Sequence, residues 1–196
     1  MSNRKLRSPE GNTLRLARFS LEDIDTQYIG WLNDNEVTRY LSAGLKHNSY
    51  EALVESFLEK DNDSAYHFFV IWDRFDAKKI GTCTLHVDRE NKTASYGYLI
   101  GEKQYWGGDA GIECQIILLD YGFSTLSLRK ICGGVVSDNL ASMLGCKRLG
   151  FKREGIRRKQ ILDSKGSEKD VHEFGILRQE WIKTRAQFLQ LIERQN

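Results

Sequence analysis

Proline occurs once, at Pro9, so loops in this chain must be shaped by glycine, asparagine and aspartate rather than by rigid proline-rich linkers. No two of the four cysteines (Cys83, Cys114, Cys132, Cys146) form a CxxC pair. That spacing argues against a zinc ligand set or a disulfide framework, and it predicts reduced thiols in a cytoplasmic protein that holds no metal. An excess of one charge is missing too. With 29 basic and 27 acidic residues the formal net charge is +2, which leaves no electrostatic footprint for nucleic acid or an anionic membrane. No apolar run approaches membrane-spanning length, and the start MSNRKLRSPEG lacks the apolar centre of a secretion signal. Internal repeats and low-complexity segments are absent as well.

What remains is the composition of a globular chain: 196 residues, 40% hydrophobic and 11% aromatic. One domain over residues 1–196 is expected, with a core of about 13–181 and a last helix over 179–194. Residues 13–18 alternate apolar and charged, as in a half-buried strand. Ser20 opens SLEDID, a cap with an acidic first turn, and predicts a helix carrying Tyr28, Ile29, Trp31 and Leu32. A second helix spans about 49–60. Strands over 66–72, 80–87 and 93–101 are joined by short polar turns and read as an antiparallel meander. Ile112, Ile116, Leu119 and Phe123 recur at helical spacing. Then follow a strand over 130–137, a helix capped by Asp138 or Asn139 and stopped by Gly150, and strands over 151–162 and 171–177. This order predicts an α/β fold, with a mostly antiparallel mixed central sheet flanked by helices on both faces.

The strongest chemical signal is a strand, then Trp106-Gly107-Gly108-Asp109-Ala110-Gly111, then a long helix. A helix start presents free N–H groups and the positive end of its dipole, which suits phosphate, and glycines let the backbone come close. Beyond the next strand stand Ser137-Asp138-Asn139-Leu140-Ala141-Ser142 and then Leu149-Gly150-Phe151. Helical spacing puts Asn139 and Ser142 on one face of the first turns.

Taken together, these stretches resemble the GCN5-related N-acetyltransferase (GNAT) superfamily, in particular its subgroup of ribosomal-protein N-terminal acetyltransferases and related nucleotide-sugar and small-molecule acetyltransferases. The likeness covers roughly residues 13–181 and includes Trp31-Leu32-Asn33-Asp34 and Gly175-Ile176-Leu177. It implies acetyl-CoA as donor substrate. Backbone near Leu99 and Ile100 would pair with the pantetheine arm. Amides of Trp106, Gly107, Gly108, Ala110 and Gly111 would hold the pyrophosphate, with Asn139 and Ser142 lining the other side. Two positions depart from the family pattern. Asp109 stands where a glycine is usual, so its carboxylate is expected to turn outward, away from the phosphates. Cys146 stands where many relatives carry a tyrosine acid.

Acetyl transfer to an amine needs a deprotonated nitrogen and a donor for the developing oxyanion. The leaving thiol, with an ordinary pKa of about 8.5, asks less of a general acid than an alkoxide would. Cys146 is the candidate acid. His86 is the first candidate base, because imidazole ordinarily changes charge near neutral pH and strand alternation puts it on the side of Thr82 and Thr84. Asp88 is the next candidate. Many relatives carry a glutamate where Ser95 stands, which makes a water relay from Ser95 an alternative. Trp31, Asn33, Arg39 and Tyr40 are the expected acceptor-lining residues, beside Asp34. The resemblance of WLNDNEVTRYL to sugar-modifying members favours a small-molecule amine, with a nucleotide-linked amino sugar first. The alternatives are a protein N-terminus and a CoA-binding module without catalysis. A monomer or a homodimer would serve any of them.

Overall fold

The computed structural model describes residues 10–163 and 165–193. Seven strands form one sheet: β1 (Leu14–Arg18), β2 (Tyr66–Asp73), β3 (Lys79–Asp88), β4 (Thr93–Ile100), β5 (Lys130–Val136), β6 (Lys152–Leu162) and β7 (Glu168–Leu177). Their order is β1-β2-β3-β4-β5-β7-β6. Every neighbouring pair is antiparallel except β4 and β5, so the sheet is mixed but mostly antiparallel. The helices are α1 (Thr26–Asn33), α2 (Tyr50–Asp61), α3 (Ala110–Asp120), α4 (Leu140–Arg148) and α5 (Arg178–Glu193). Among the described residues no helix is long and apolar enough to cross a membrane.

Strand alternation sorts the core into two layers. On one face Leu14, Leu16, Phe69, Ile71, Cys83 and Leu85 meet Cys114, Ile117 and Leu118 of α3, with Cys146 of α4 and Trp181 of α5 in the same cluster. On the other face Val70 and Leu99 meet Tyr28, Trp31 and Leu32 of α1 and Phe57 of α2. Helices therefore cover both faces, as the pattern of elements predicted.

The first helix begins later than expected. The Asp23 carboxylate does accept from the Ser20 amide, at 2.8 Å, but Ser20 closes no more than a 3₁₀ turn over Leu21–Asp23. Asp25 then caps α1, its Oδ1 accepting from the Tyr28 amide at 2.9 Å. The reason is tertiary. Lys79 on β3 is 5% exposed, and its Nζ reaches Asp25 Oδ2 at 2.6 Å and the Asp23 carbonyl at 3.1 Å. That buried ammonium fixes the chain at Asp25 and breaks the run from Ser20. At the other end of the core α3 closes at Asp120, and a wider π turn over Tyr121–Thr125 carries Phe123, which the periodicity assigned to the helix itself.

Candidate active site

The site is built around a parting of two strands. β4 and β5 pair only through Thr93–Ser95 against Lys130–Cys132, and beyond that they diverge. The Gly101 amide donates to Ile80 on β3, so by antiparallel alternation the peptide groups of Leu99 face β3 while those of Tyr98 and Ile100 face the opening. Of the two strand residues named from the sequence, Ile100 thus lies on the open edge, where its carbonyl accepts from Trp106 Nε1 at 2.8 Å. That bond ties the following turn to the end of β4.

The turn runs into α3 in the manner its sequence suggests, with one change. Gly107 takes the left-handed conformation, φ +75°, whereas Asp109 lies at φ −86° and needs no such freedom. The amides of residues 107–112 donate to no acceptor among the described residues. They form a row of free donors at the positive end of α3, the arrangement that suits a phosphate group. The Asp109 side chain is 81% exposed and stands 3.4 Å from Arg148 Nη1, which offsets its charge beside that row. Glu113, the other acid of the first turn, is drawn away to β1, where it accepts from the Thr13 amide at 2.7 Å and the Leu14 amide at 3.1 Å.

Across the opening α4 presents its own start. Asn139 Oδ1 caps the helix by accepting from the Ser142 amide at 3.1 Å, and Ser142 Oγ lies 3.2 Å from Tyr98 Oη. Behind them Cys146, the acid candidate named from the sequence, meets two polar groups that were not singled out there, Tyr96 and Gln115. Tyr96 Oη is 3.0 Å from Gln115 Oε1 and 3.3 Å from Cys146 Sγ, while Gln115 Nε2 donates to the Gly111 carbonyl at 3.1 Å. Gln115 is 1% exposed and Cys146 is buried beside it. Burial pushes the Cys146 thiol upward, against the hydrogen bond it shares with Tyr96, and burial with the neighbouring Cys146 pushes Tyr96 well above its ordinary range. Both groups therefore stay protonated at neutral pH. The available signal was the pattern Tyr96-Gly97-Tyr98, two phenols on one side of β4 facing a helix that carries a lone glutamine.

On the opposite face of β4 lies a cleft of about 400 Å³ between α1, α2 and the strands, lined by Tyr28, Phe57, Phe68, Tyr66, Tyr98 and Leu99, with Thr82 and Thr84 on its floor. Lys46 and Lys60 line it as well, and neither makes an ion pair among the described residues. A second cavity continues it through Lys60, Tyr66, Thr84 and Gly97 to His86 and Ser95. His86 and Ser95 are direct partners across β3 and β4, and His86 Nε2 stands 3.4 Å from Asp63 Oδ2. His86, Thr82 and Thr84 thus share the cleft side, as alternation required. Asp88 lies past them with its carboxylate engaged by Asn91, whose amide donates at 2.9 Å and whose side chain donates at 2.8 Å. Those bonds hold its pKa down, so Asp88 braces the β3–β4 turn as a carboxylate.

The acceptor-side candidates separate. Trp31 is 6% exposed, packed in the second core, and its Nε1 donates to Glu102 at 3.3 Å. Asn33 exchanges hydrogen bonds with the backbone of Asn48, both at 2.9 Å, and so holds the loop between α1 and α2. Neither lines the cleft. Arg39 and Tyr40 line another opening of about 410 Å³ beside Val136 and Asp138, at the β5 side of the strand parting, and Leu41 borders both openings. Tyr40 Oη donates to the Asp138 carbonyl at 3.2 Å.

An open strand edge that runs up to a row of free amides is what a thioester with a long phosphorylated tail requires, and it places the chain among the coenzyme A-dependent acyltransferases. Comparison with known proteins makes the class specific. Residues 13–152 match the family described as acetyltransferase (GNAT) domain. The chain is similar to "Uncharacterized N-acetyltransferase p20" of Bacillus licheniformis, 32% identical over 174 residues that cover 86% of this chain and 94% of that one. It is also similar to "Uncharacterized N-acetyltransferase YnaD" of Bacillus subtilis, 28% identical over 86% of this chain and 95% of the other. Among solved structures, spermidine N-acetyltransferase from Vibrio cholerae in complex with CoA and spermine superposes with a TM-score of 0.78. That match covers 88% of this chain and 99% of the other at 22% identity, a likeness of fold. The chain belongs to the GNAT acetyltransferase family: it is an N-acetyltransferase, and its donor is acetyl-CoA.

Proposed function

We propose that the chain acetylates the primary amine of a small molecule that carries negative charge, with a nucleotide-linked amino sugar as the leading acceptor. The observation behind this reading is the lining of the cleft beneath α1 and α2. It is aromatic and of small-molecule size, it holds Lys46 and Lys60, and no carboxylate is among its lining residues. A polyamine, or the basic amino terminus of a ribosomal protein, would meet two like charges there; a phosphate or carboxylate would meet two opposite ones. Arg39 and Tyr40 border a separate opening on the β5 side of the parting, where Arg39 lies over the Tyr40 ring. Glu36, Asp138 and Asp163 balance Arg39, Lys165 and Lys169 there, so the charge argument rests on Lys46 and Lys60.

In this reading the amides of Gly107, Gly108, Ala110 and Gly111 hold the donor's pyrophosphate, and Asn139 and Ser142 border it from α4. The amide of Trp106, expected to join them, instead donates to the Lys103 carbonyl at 3.0 Å. The open edge of β4 at Tyr98 and Ile100 receives the pantetheine arm, while the peptide groups of Leu99 face β3. His86, steadied by Asp63, takes the proton of the acceptor amine directly or through water held at Ser95. Acyl transfer itself needs no further group beyond a donor for the carbonyl oxygen, a role that suits the strand edge.

The test is amine-dependent thiol release from acetyl-CoA with three acceptors: a uridine diphosphate-linked amino sugar, spermidine and a basic peptide with a free amino terminus. The amino sugar is expected to give the highest kcat/KM. Lys60→Glu should lower that value at least about tenfold while leaving the KM for acetyl-CoA near its starting value. Spermidine as the best acceptor would overturn the charge argument, and the peptide as the best acceptor would overturn the size argument.

A further inference from the structure

The register of β2, β3 and β4 sets out the sheet face beneath α1 and α2 in three rows: Val70, Thr82 and Leu99; Phe68, Thr84 and Gly97; Tyr66, His86 and Ser95. The middle row falls in size from a ring, to a hydroxyl, to no side chain as it nears the free edge of β4. Gly97 lies two residues beyond Ser95, where the pairing with β5 ends. A furrow floored by bare backbone therefore leads from the cleft toward the opening between β4 and β5. Both cavities on this face, each of about 400 Å³, are lined by Lys60, Tyr66, Thr84 and Gly97, so the furrow is also where they join.

Packing does not ask for a glycine there. A Cβ built at Gly133 would come within 2.7 Å of Tyr96 Cε1, and one at Gly175 within 2.6 Å of the Glu154 carboxyl carbon. A Cβ at Gly97 would meet only Thr84 Oγ1, at 3.4 Å, a van der Waals contact. Nor does the backbone ask for it, since the glycines held at positive φ are Gly107, Gly150 and Gly166. Glycine inside a strand weakens it through chain entropy and lost packing, and it marks places where a ligand or another chain segment comes close to the backbone.

We propose that Gly97 is the crossing point for the acceptor. Its missing side chain lets the amine-bearing end pass from the aromatic cleft, over the backbone and beside His86, to the opening between β4 and β5. It thereby limits the bulk that an acceptor carries next to its nitrogen. This rests on the reading that the acceptor occupies the cleft beneath α1 and α2. Tyr66 and Lys60 border the crossing: the Tyr66 ring lies 6.1 Å from the His86 ring, and Lys60 Nζ lies 5.7 Å from the centre of Tyr66. The positive charge of Lys60 disfavours the protonated form of an incoming amine, which is the form that does not attack.

Gly97→Val places a branched side chain at the crossing and suits a strand. With the best of the three acceptors above, kcat/KM is expected to fall at least about thirtyfold. Affinity for coenzyme A by calorimetry should stay within about twofold, and the melting temperature should be no lower than that of the wild-type chain. Gly97→Ala should give a smaller loss. Adding Thr84→Ala to it should recover part of the activity, because Thr84 Oγ1 is the atom that the new methyl group meets. A Gly97→Val protein that keeps kcat/KM within about threefold would overturn the proposal, and so would a loss of coenzyme A affinity that matches the loss of activity. Lys60→Glu tells the two possible failures apart. If it lowers kcat/KM while Gly97→Val does not, the cleft stands as the acceptor site and the crossing falls. If Gly97→Val lowers it and Lys60→Glu does not, the crossing stands and the charge argument falls; if neither matters, both fall.

Discussion

Gly111→Trp is expected to abolish coenzyme A binding while leaving the fold in place. Gly111 is the second residue of α3, and its amide belongs to the row of free donors over residues 107–112. A Cβ built there lies 3.3 Å from Cε2 of Tyr98 and 3.5 Å from its hydroxyl, close enough that the phenol must give by a few tenths of an ångström. An indole beyond that Cβ has no room toward β4, so it lies over the helix start and covers the amides. The loss should exceed about a hundredfold in affinity, because several charge-assisted hydrogen bonds disappear together. The stability cost should stay modest, since tryptophan is tolerated in a helix about as well as serine and the residue is not in the buried core. Calorimetric titration with coenzyme A, beside a circular dichroism melt, checks both halves.

The second large effect is on stability. Asp25→Ala is expected to cost about 2–3 kcal/mol, because it removes the cap of α1 and strands a buried ammonium. Lys79, 5% exposed, has Asp25 as its ion-pair partner and the face of Trp31 5.7 Å away. The double variant Asp25→Ala, Lys79→Met should recover part of the loss, which a cap defect alone would not. Urea denaturation of the four proteins of that cycle measures it, and a single-variant cost below about half a kcal/mol would count against the pair. The pH dependence follows from the same contact. Partial burial raises the Asp25 carboxyl, but the hydrogen bonds from Lys79 and the Tyr28 amide and the charge of Lys79 bring it, on balance, below its ordinary value. A folded pKa below the unfolded one, about 3.9, means that the stabilisation is complete above that pH and drains away as the pH falls through the folded value. Wild-type stability should therefore drop below about pH 4 more steeply than that of Asp25→Ala.

Elements whose signals are local could be read from the sequence. Ser49 and Asn139 cap their helices through side-chain bonds to the amides three residues on, and Gly150 stops α4 at φ +83°. The free donors at α3 were legible for the same reason, since a strand, two glycines and an amphipathic helix state their geometry within a few residues. Asp109 turned toward Arg148 rather than over the amides, in line with the expectation from its charge. What depended on distant partners was not legible. The break before α1 needs Lys79, which lies 54 positions from Asp25 in the chain. Trp31 and Asn33 looked like ligand contacts because aromatic and amide side chains near a helix end often are; the partners that claim them, Glu102 and Asn48, come from other segments. Tyr96 was not singled out because the partners that hold its hydroxyl, Gln115 on α3 and Cys146 on α4, come from other segments.

The central claim is that this chain moves an acetyl group from acetyl-CoA to a small anionic amine across the opening between β4 and β5. Its most direct test is one reaction: the full chain, acetyl-CoA and a uridine diphosphate-linked amino sugar, followed by thiol release and by mass spectrometry of the sugar. The account predicts stoichiometric thiol release with one acetyl group gained on the sugar nitrogen, lost in Gly111→Trp. A chain that binds acetyl-CoA tightly yet releases thiol at the same rate with and without any amine would contradict it.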